Sequence, residues 1–128
     1  MAGDVNGSAD VIRVVNQSKG TVIAERATVA RGAWDRGRGL MFRKSLNPGT
    51  GLVIDPCSSI HSMWMRFPID VLYVDRDGAV VRVDAAMRPW RIGPLFAGGR
   101  AVVELPEGAA ARSRTERGDR LRYEPAAV

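Results

Sequence analysis

The sequence holds one cysteine and one histidine, and only Lys19 and Lys44 are lysines. A single cysteine, Cys57, excludes any disulfide within the chain and points mildly to a reducing compartment. No apolar run approaches the roughly 18 residues that a membrane-spanning helix needs. Residues Met1 to Ser8 carry neither a basic region nor an apolar one, so they do not read as a signal peptide. A cytoplasmic protein with no membrane partner is the expectation. Also missing are an internal repeat, a paired-carboxylate spacing, a phosphate-cradling glycine loop and a nucleophile elbow.

What is present is a chain of 128 residues, 45% of them hydrophobic. That is enough for one core and too little for two. Net charge is +5, carried almost entirely by arginine, and a basic balance raises the question of nucleic acid. The arginines alternate with acids along most of the chain. The two denser places, Trp34 to Lys44 and Arg112 to Arg122, are short and interrupted. This pattern fits a solvated surface better than a nucleic-acid groove.

Residues 1–9 are small and polar and read as a flexible tail preceding one domain over 10–128. From Val11 to Glu25, two β-branched runs flank a polar break at Gln17 to Gly20, which signals a hairpin. The β pattern then stops at Arg26, and a short helical turn is expected around Thr28–Trp34 or Arg38–Lys44. Asn47-Pro48-Gly49-Thr50-Gly51 is a turn cluster, and Gly51 to Asp55 is a short strand stopped by Pro56. Ile69 to Asp75 and Ala79 to Val83 flank Asp77-Gly78, the strongest hairpin cue, expected as a type I′ turn. Val81, Val83, Ala85 and Met87 alternate with polar or small neighbours, so one face of that arm should meet the core. Residues 88–99 read as an irregular loop, Ala101 to Leu105 as a strand, and Pro106 to Glu116 as a helix closed by Gly118. Asp119 to Glu124 is a last strand. The expected fold is mainly β with one or two short helices. It is a single, mostly antiparallel domain, partly open and barrel-like or sandwich-like.

Three blocks carry a family resemblance. They are Arg38-Gly39-Leu40-Met41-Phe42-Arg43 followed by a turn and Gly-Leu-Val-Ile; the stretch from Trp64-Met65 through Pro68-Ile69-Asp70-Val71-Leu72-Tyr73-Val74-Asp75 to Val81; and Val102 to Gly108 with Gly118-Asp119 after it. Together they resemble the prokaryotic family known as domain of unknown function 192, over roughly residues 21–124. The resemblance implies a compact, β-rich, partly barrel-like fold and brings no activity or cofactor with it. Many members carry an export signal or lipid anchor, which is not expected here because Met1 to Ser8 do not read as one, and many have Lys-Asn-Thr where Arg66-Phe67 stands.

Cys57 to Asp70 packs the only cysteine, the only histidine, Trp64, Arg66 and Asp70 into 14 residues. A thiol enzyme would use Cys57 as nucleophile and His61 as base, with Asp55 or Asp70 orienting the imidazole. On an extended strand, however, Cys57 and His61 stand about 13 Å apart, beyond hydrogen-bonding reach. A metal site would draw on Cys57, His61 and a carboxylate such as Asp70, yet structural zinc commonly takes four cysteine or histidine ligands. Neither a metal nor a cofactor is expected. A binding site asks less. Trp64 and Trp90 supply apolar walls, and His61, Arg66 and Arg91 supply donors for an anionic or polyhydroxy ligand. The preferred reading is therefore a non-catalytic module for a small molecule or peptide, with a cleft around residues 57–70 and 88–99. The thiol enzyme and a weak nucleic-acid binder are the alternatives. Glu104, between Val103 and Leu105, reads as an exposed edge charge.

Overall fold

The computed structural model describes residues 10–30, 46–56, 67–88 and 99–126. Among the described residues the strands are β1 (Asp10–Asn16), β2 (Thr21–Ala30), β3 (Thr50–Ile54), β4 (Ile69–Asp75), β5 (Val80–Met87), β6 (Gly99–Pro106) and β7 (Leu121–Pro125), with one helical turn, α1 (Ala109–Arg112). They form one seven-stranded sheet in the order β5-β4-β6-β3-β2-β1-β7. Every neighbouring pair is antiparallel except β2–β3. The sheet curls until its two outer ends touch at an isolated bridge between Ala79 and Arg120. Backbone bonds of 2.8 Å from Val80 N to Asp119 O and from Leu121 N to Gly78 O hold that contact. The result is the mainly β, mostly antiparallel half-barrel that the sequence implies. The N-terminal segment 1–9 lies outside the described residues.

Two apolar layers sandwich the centre of the sheet. The inner one fills the half-barrel with Val14, Ala27, Val53, Leu72, Val74, Val103, Leu105 and the helix residues Ala109 and Ala110. The outer one comprises Ala30, Leu52, Ile54, Ile69, Val71, Tyr73 and Val102. Strands β3, β4 and β6 are thus covered on both faces, which is why Leu-Val-Ile, Val-Leu-Tyr-Val and Ala-Val-Val are unbroken apolar runs rather than alternating ones.

The β1–β2 hairpin turns through Gln17 to Gly20, where Gly20 adopts φ 70° and its N–H donates to the carbonyl of Asn16 at 2.8 Å. Asn16 is fully buried, and its Nδ2 donates to Thr115 Oγ1 (3.0 Å) and Asp119 Oδ2 (2.9 Å). Lys19 Nζ adds bonds to Asp119 Oδ2 at 2.8 Å and Glu116 Oε2 at 2.7 Å. This polar cluster staples the hairpin to the segment before β7. It satisfies groups that burial would otherwise penalise.

Four local expectations are corrected. The helical turn over Thr28–Trp34 gives way to strand as far as Ala30, because β2 continues in parallel register with β3 from Arg26↔Thr50 to Ala30↔Ile54; positions 31–34 and 38–44 lie outside the described residues. The helix over Pro106–Glu116 shrinks to four residues. Strand β6 runs through Pro106, Gly108 turns the chain at φ 94°, and Arg114 at φ 57° stops helical propagation long before Gly118. At the β4–β5 turn only Gly78 takes a positive φ, 85°, so the connection is the three-residue kind with a left-handed last position, not type I′. Asp75 Oδ1 shapes it by accepting from the N–H groups of Asp77 and Ala79, both at 2.9 Å. Finally, β5 does not alternate simply. Register shifts against β4 place Val83 on the inner layer and Val81 and Met87 on the outer one.

Candidate functional site

Of the two sequence-derived acids within the described residues, Asp55 accepts from Arg100 Nε at 2.8 Å, and Asp70 makes the more extensive contacts. Asp70 points into the inner side of the sheet and is buried. Its Oδ1 accepts from Ala86 N at 2.8 Å, and its Oδ2 from Gly108 N at 3.1 Å and Ala110 N at 2.9 Å. One carboxylate thus fixes Ala86, whose φ is 54°, and satisfies the N-terminal N–H groups of α1, which has no side-chain cap of its own. A carboxylate holding three backbone donors is occupied with structure. Cys57, His61, Trp64, Arg66, Trp90 and Arg91 lie outside the described residues.

Glu104 differs from its expected exposed position. It is 2% exposed, because β6 is an interior strand flanked by β3 and β4, with Leu52 and Val71 directly opposite it. Its carboxyl belongs to the outer layer, alternating with Val103 and Leu105 on the inner one. Burial pushes its pKa from about 4.5 up to about 8, so at neutral pH the carboxyl is mostly protonated. Among the described residues, Oε1 has no hydrogen-bond partner. A buried carboxyl without a partner is the kind of group that marks a site. The available sequence signal was the apolar density around it. Ala-Val-Val-Glu-Leu-Pro is a central-strand pattern in which even a polar residue ends up covered.

The described residues that bound the unlabelled connections gather around this same layer. Leu46 precedes β3, Phe67 precedes β4 and Met87 ends β5, and all three pack on the outer cluster together with Val81. Strands β3 and β4 run in the same direction, since both are antiparallel to β6. Strands β5 and β6 also run alike, since both are antiparallel to β4. The end of β3 and the start of β4 therefore lie at opposite ends of the sheet, as do the end of β5 and the start of β6. The flanking side chains Phe67 and Met87 sit on the face that carries Glu104.

Electrostatics elsewhere are local. Arg13 donates from Nε (3.0 Å) and Nη2 (2.7 Å) to Glu124 Oε1, and Arg122 pairs with Glu124 Oε2. These contacts hold the Glu124 carboxyl below its usual range. Arg120 donates to the carbonyl of Asp77 at 2.6 Å. Among the described residues no cluster of three histidine, cysteine or acidic side chains is arranged to hold a metal. None of their helices is long and apolar enough to cross a membrane.

The model of the family described as Uncharacterized ACR, domain of unknown function 192, matches residues 14–123. The chain belongs to this family. The match runs from β1 to β7 and spans every candidate named above. Among its relatives, the UPF0127 protein PH1112 of Pyrococcus horikoshii is 34% identical over 116 residues, covering 86% of this chain and 97% of that one. A UPF0127 protein of Thermococcus sibiricus is 30% identical over 115 residues, covering 87% of this chain and 74% of its own length. The crystal structure of a protein of unknown function from Novosphingobium aromaticivorans superposes with a TM-score of 0.76 at 25% identity, over 95% of this chain and 91% of that one. A solved structure from Sinorhizobium meliloti shares the fold, with a TM-score of 0.73 at 24% identity over 91% and 94% of the two chains. The family's relatives are themselves of uncharacterised function, so function is argued from the site.

Proposed function

We propose that this member of the domain of unknown function 192 family is a non-catalytic binding module. Its ligand is a small molecule or peptide, taken up in a cleft between residues 57–70 and 88–99. The observation that supports this reading is the convergence of Phe67 and Met87, which bound those stretches, on the apolar layer around buried Glu104. A protonated carboxyl in an apolar setting is a directional hydrogen-bond group, as ligand sites use sparingly among hydrophobic walls. Trp64 and Trp90 are the proposed walls, and His61, Arg66 and Arg91 the proposed donors. The engagement of Asp70 by three backbone N–H groups, and of Asp55 by Arg100, favours binding over thiol catalysis, which would need one of these acids to orient His61. The proposed compartment is the cytoplasm, on the strength of the lone Cys57.

The test is calorimetric titration of the whole chain with citrate, inorganic phosphate and maltose, as anionic and polyhydroxy probes. Saturable binding of at least one is expected. Arg66→Ala and Trp90→Ala should each weaken it by about tenfold, the worth of one charge-assisted hydrogen bond or one aromatic wall. Binding that neither substitution changes would place the site elsewhere and refute the reading, as would the absence of binding by any probe at millimolar concentration.

A further inference from the structure

The half-barrel seam closes at one bridge, and beside that bridge lies a second, separate concavity. It lies where β3 and β4 finish and β6 begins, with Tyr123 from the middle of β7 in its lining. Its volume is about 440 Å³, and its polar lining consists of Asp55, Asp75, Arg76, Arg100 and Tyr123. That volume is within the range of small-ligand sites, which favour barrel mouths.

The polar groups here are incompletely used. Arg100 Nε donates to Asp55 Oδ1 at 2.8 Å, while the Nη groups of Arg100 and the Oδ2 of Asp55 have no partner among the described residues. Asp75 gives Oδ1 to the turn N–H groups of Asp77 and Ala79, and its Oδ2 is likewise unengaged among them. Arg76 is exposed on the β4–β5 turn and makes no ion pair or hydrogen bond with a described residue. The Tyr123 hydroxyl is in the same condition. Although 41% of Tyr123 reaches solvent, crowding about the phenol and then the charge of Asp55 push its pKa up to about 12. It therefore stays a protonated donor across the physiological range. Two guanidinium groups and a phenol face two carboxylates, so the lining has donors for an anion yet carries no net charge. A bare polyanion would meet Asp55 and Asp75 as repulsive neighbours.

We propose that this recess binds a small hydroxy or amino acid. Arg76, Arg100 and the Tyr123 hydroxyl take its carboxylate, while Asp55 and Asp75 accept from its neighbouring hydroxyl or ammonium group. Two guanidinium forks can hold a carboxylate bidentately. The acceptors on the opposite wall select for the adjacent donor, since a buried or half-buried acceptor left unpaired costs affinity. This site shares no residue with the binding site proposed above and does not depend on it.

The test is isothermal titration of the whole chain with L-malate, L-serine, succinate and inorganic phosphate. At least one of malate and serine should bind in the micromolar-to-millimolar range, about tenfold more tightly than succinate, which lacks the second donor. Arg76→Ala, on an exposed turn, should weaken that binding about tenfold, and Tyr123→Phe by several-fold. Arg66→Ala should leave it unchanged. The proposal is overturned if neither malate nor serine binds, if phosphate or succinate binds as tightly as both, or if Arg76→Ala is without effect.

Discussion

The buried carboxyl of Glu104 makes a quantitative prediction about stability against pH. In the unfolded chain this group ionises near 4.5, and in the folded protein near 8. Between those values the folded state keeps a proton that the unfolded state has lost. Stability therefore falls as pH rises, by about 1.4 kcal/mol per unit. The protonated side chain's contribution is fully present below about pH 4.5 and is lost by about pH 8. Above that the loss is constant, at roughly 4–5 kcal/mol. At pH 7 it amounts to about 3 kcal/mol, a substantial part of the 5–15 kcal/mol of an ordinary domain. Glu104→Gln keeps the shape of the protonated side chain and cannot ionise. Urea unfolding of both proteins from pH 4.5 to 8.5 should show the variant gaining on the native protein as pH rises. The difference should change by about 3 kcal/mol between pH 4.5 and 7. Any packing or hydrogen-bond effect of the amide is a constant offset and leaves that slope intact. A difference that does not change with pH would refute the argument that burial governs this carboxyl.

Asp70→Asn removes one of the two acceptor oxygens that hold Ala86, Gly108 and Ala110 and turns an amide toward backbone donors. A loss of about 3 kcal/mol at neutral pH is expected in urea midpoints. Gly51→Ala should cost about 1–3 kcal/mol by the same assay, because the new methyl would stand 3.0 Å from Leu105 Cδ2 and 3.1 Å from the backbone oxygen of Glu104. For Asp119, bonds from Lys19, Asn16 and the Glu116 N–H outweigh burial and hold the carboxyl below its usual range. Its contribution should be present above about pH 4 and disappear as pH falls through the lowered folded value, so Asp119→Asn should narrow its deficit against the native protein in acid melts. If that deficit stays constant down to pH 2, the charge of Asp119 is not what the β1–β2 staple uses.

Much of the fold follows from short-range chemistry. β-branched runs broken by Gln17–Gly20 and by Arg76–Gly78 specify hairpins, because a glycine there relieves a backbone conformation that other residues resist. The turn's length, however, depended on Asp75 accepting two N–H groups across it. Helical propensity was overruled at Thr28–Ala30 because a neighbouring strand offered the backbone a ladder of hydrogen bonds worth more than local preference. After Pro106 it was cut short instead by the positive φ of Gly108 and Arg114.

Composition and the order of residues along the chain determined that this is one β-rich domain without an internal disulfide, and that its rare chemical groups concentrate between Cys57 and Asp70. Pairing order decided the rest. Glu104 reads as an edge charge until β6 is placed between β3 and β4, and then the same residue becomes a buried acid near the centre of an apolar layer. Asp70 reads from the sequence as a candidate partner for His61, and only the fold brings Gly108 and Ala110, some forty positions away, to donate their N–H groups to it. Arg76, Arg100 and Tyr123 are unremarkable surface residues in the sequence and line one recess only because the sheet curls. Burial and long-range hydrogen bonding depend on which strands lie side by side, and that ordering is a property of the whole chain rather than of any window along it.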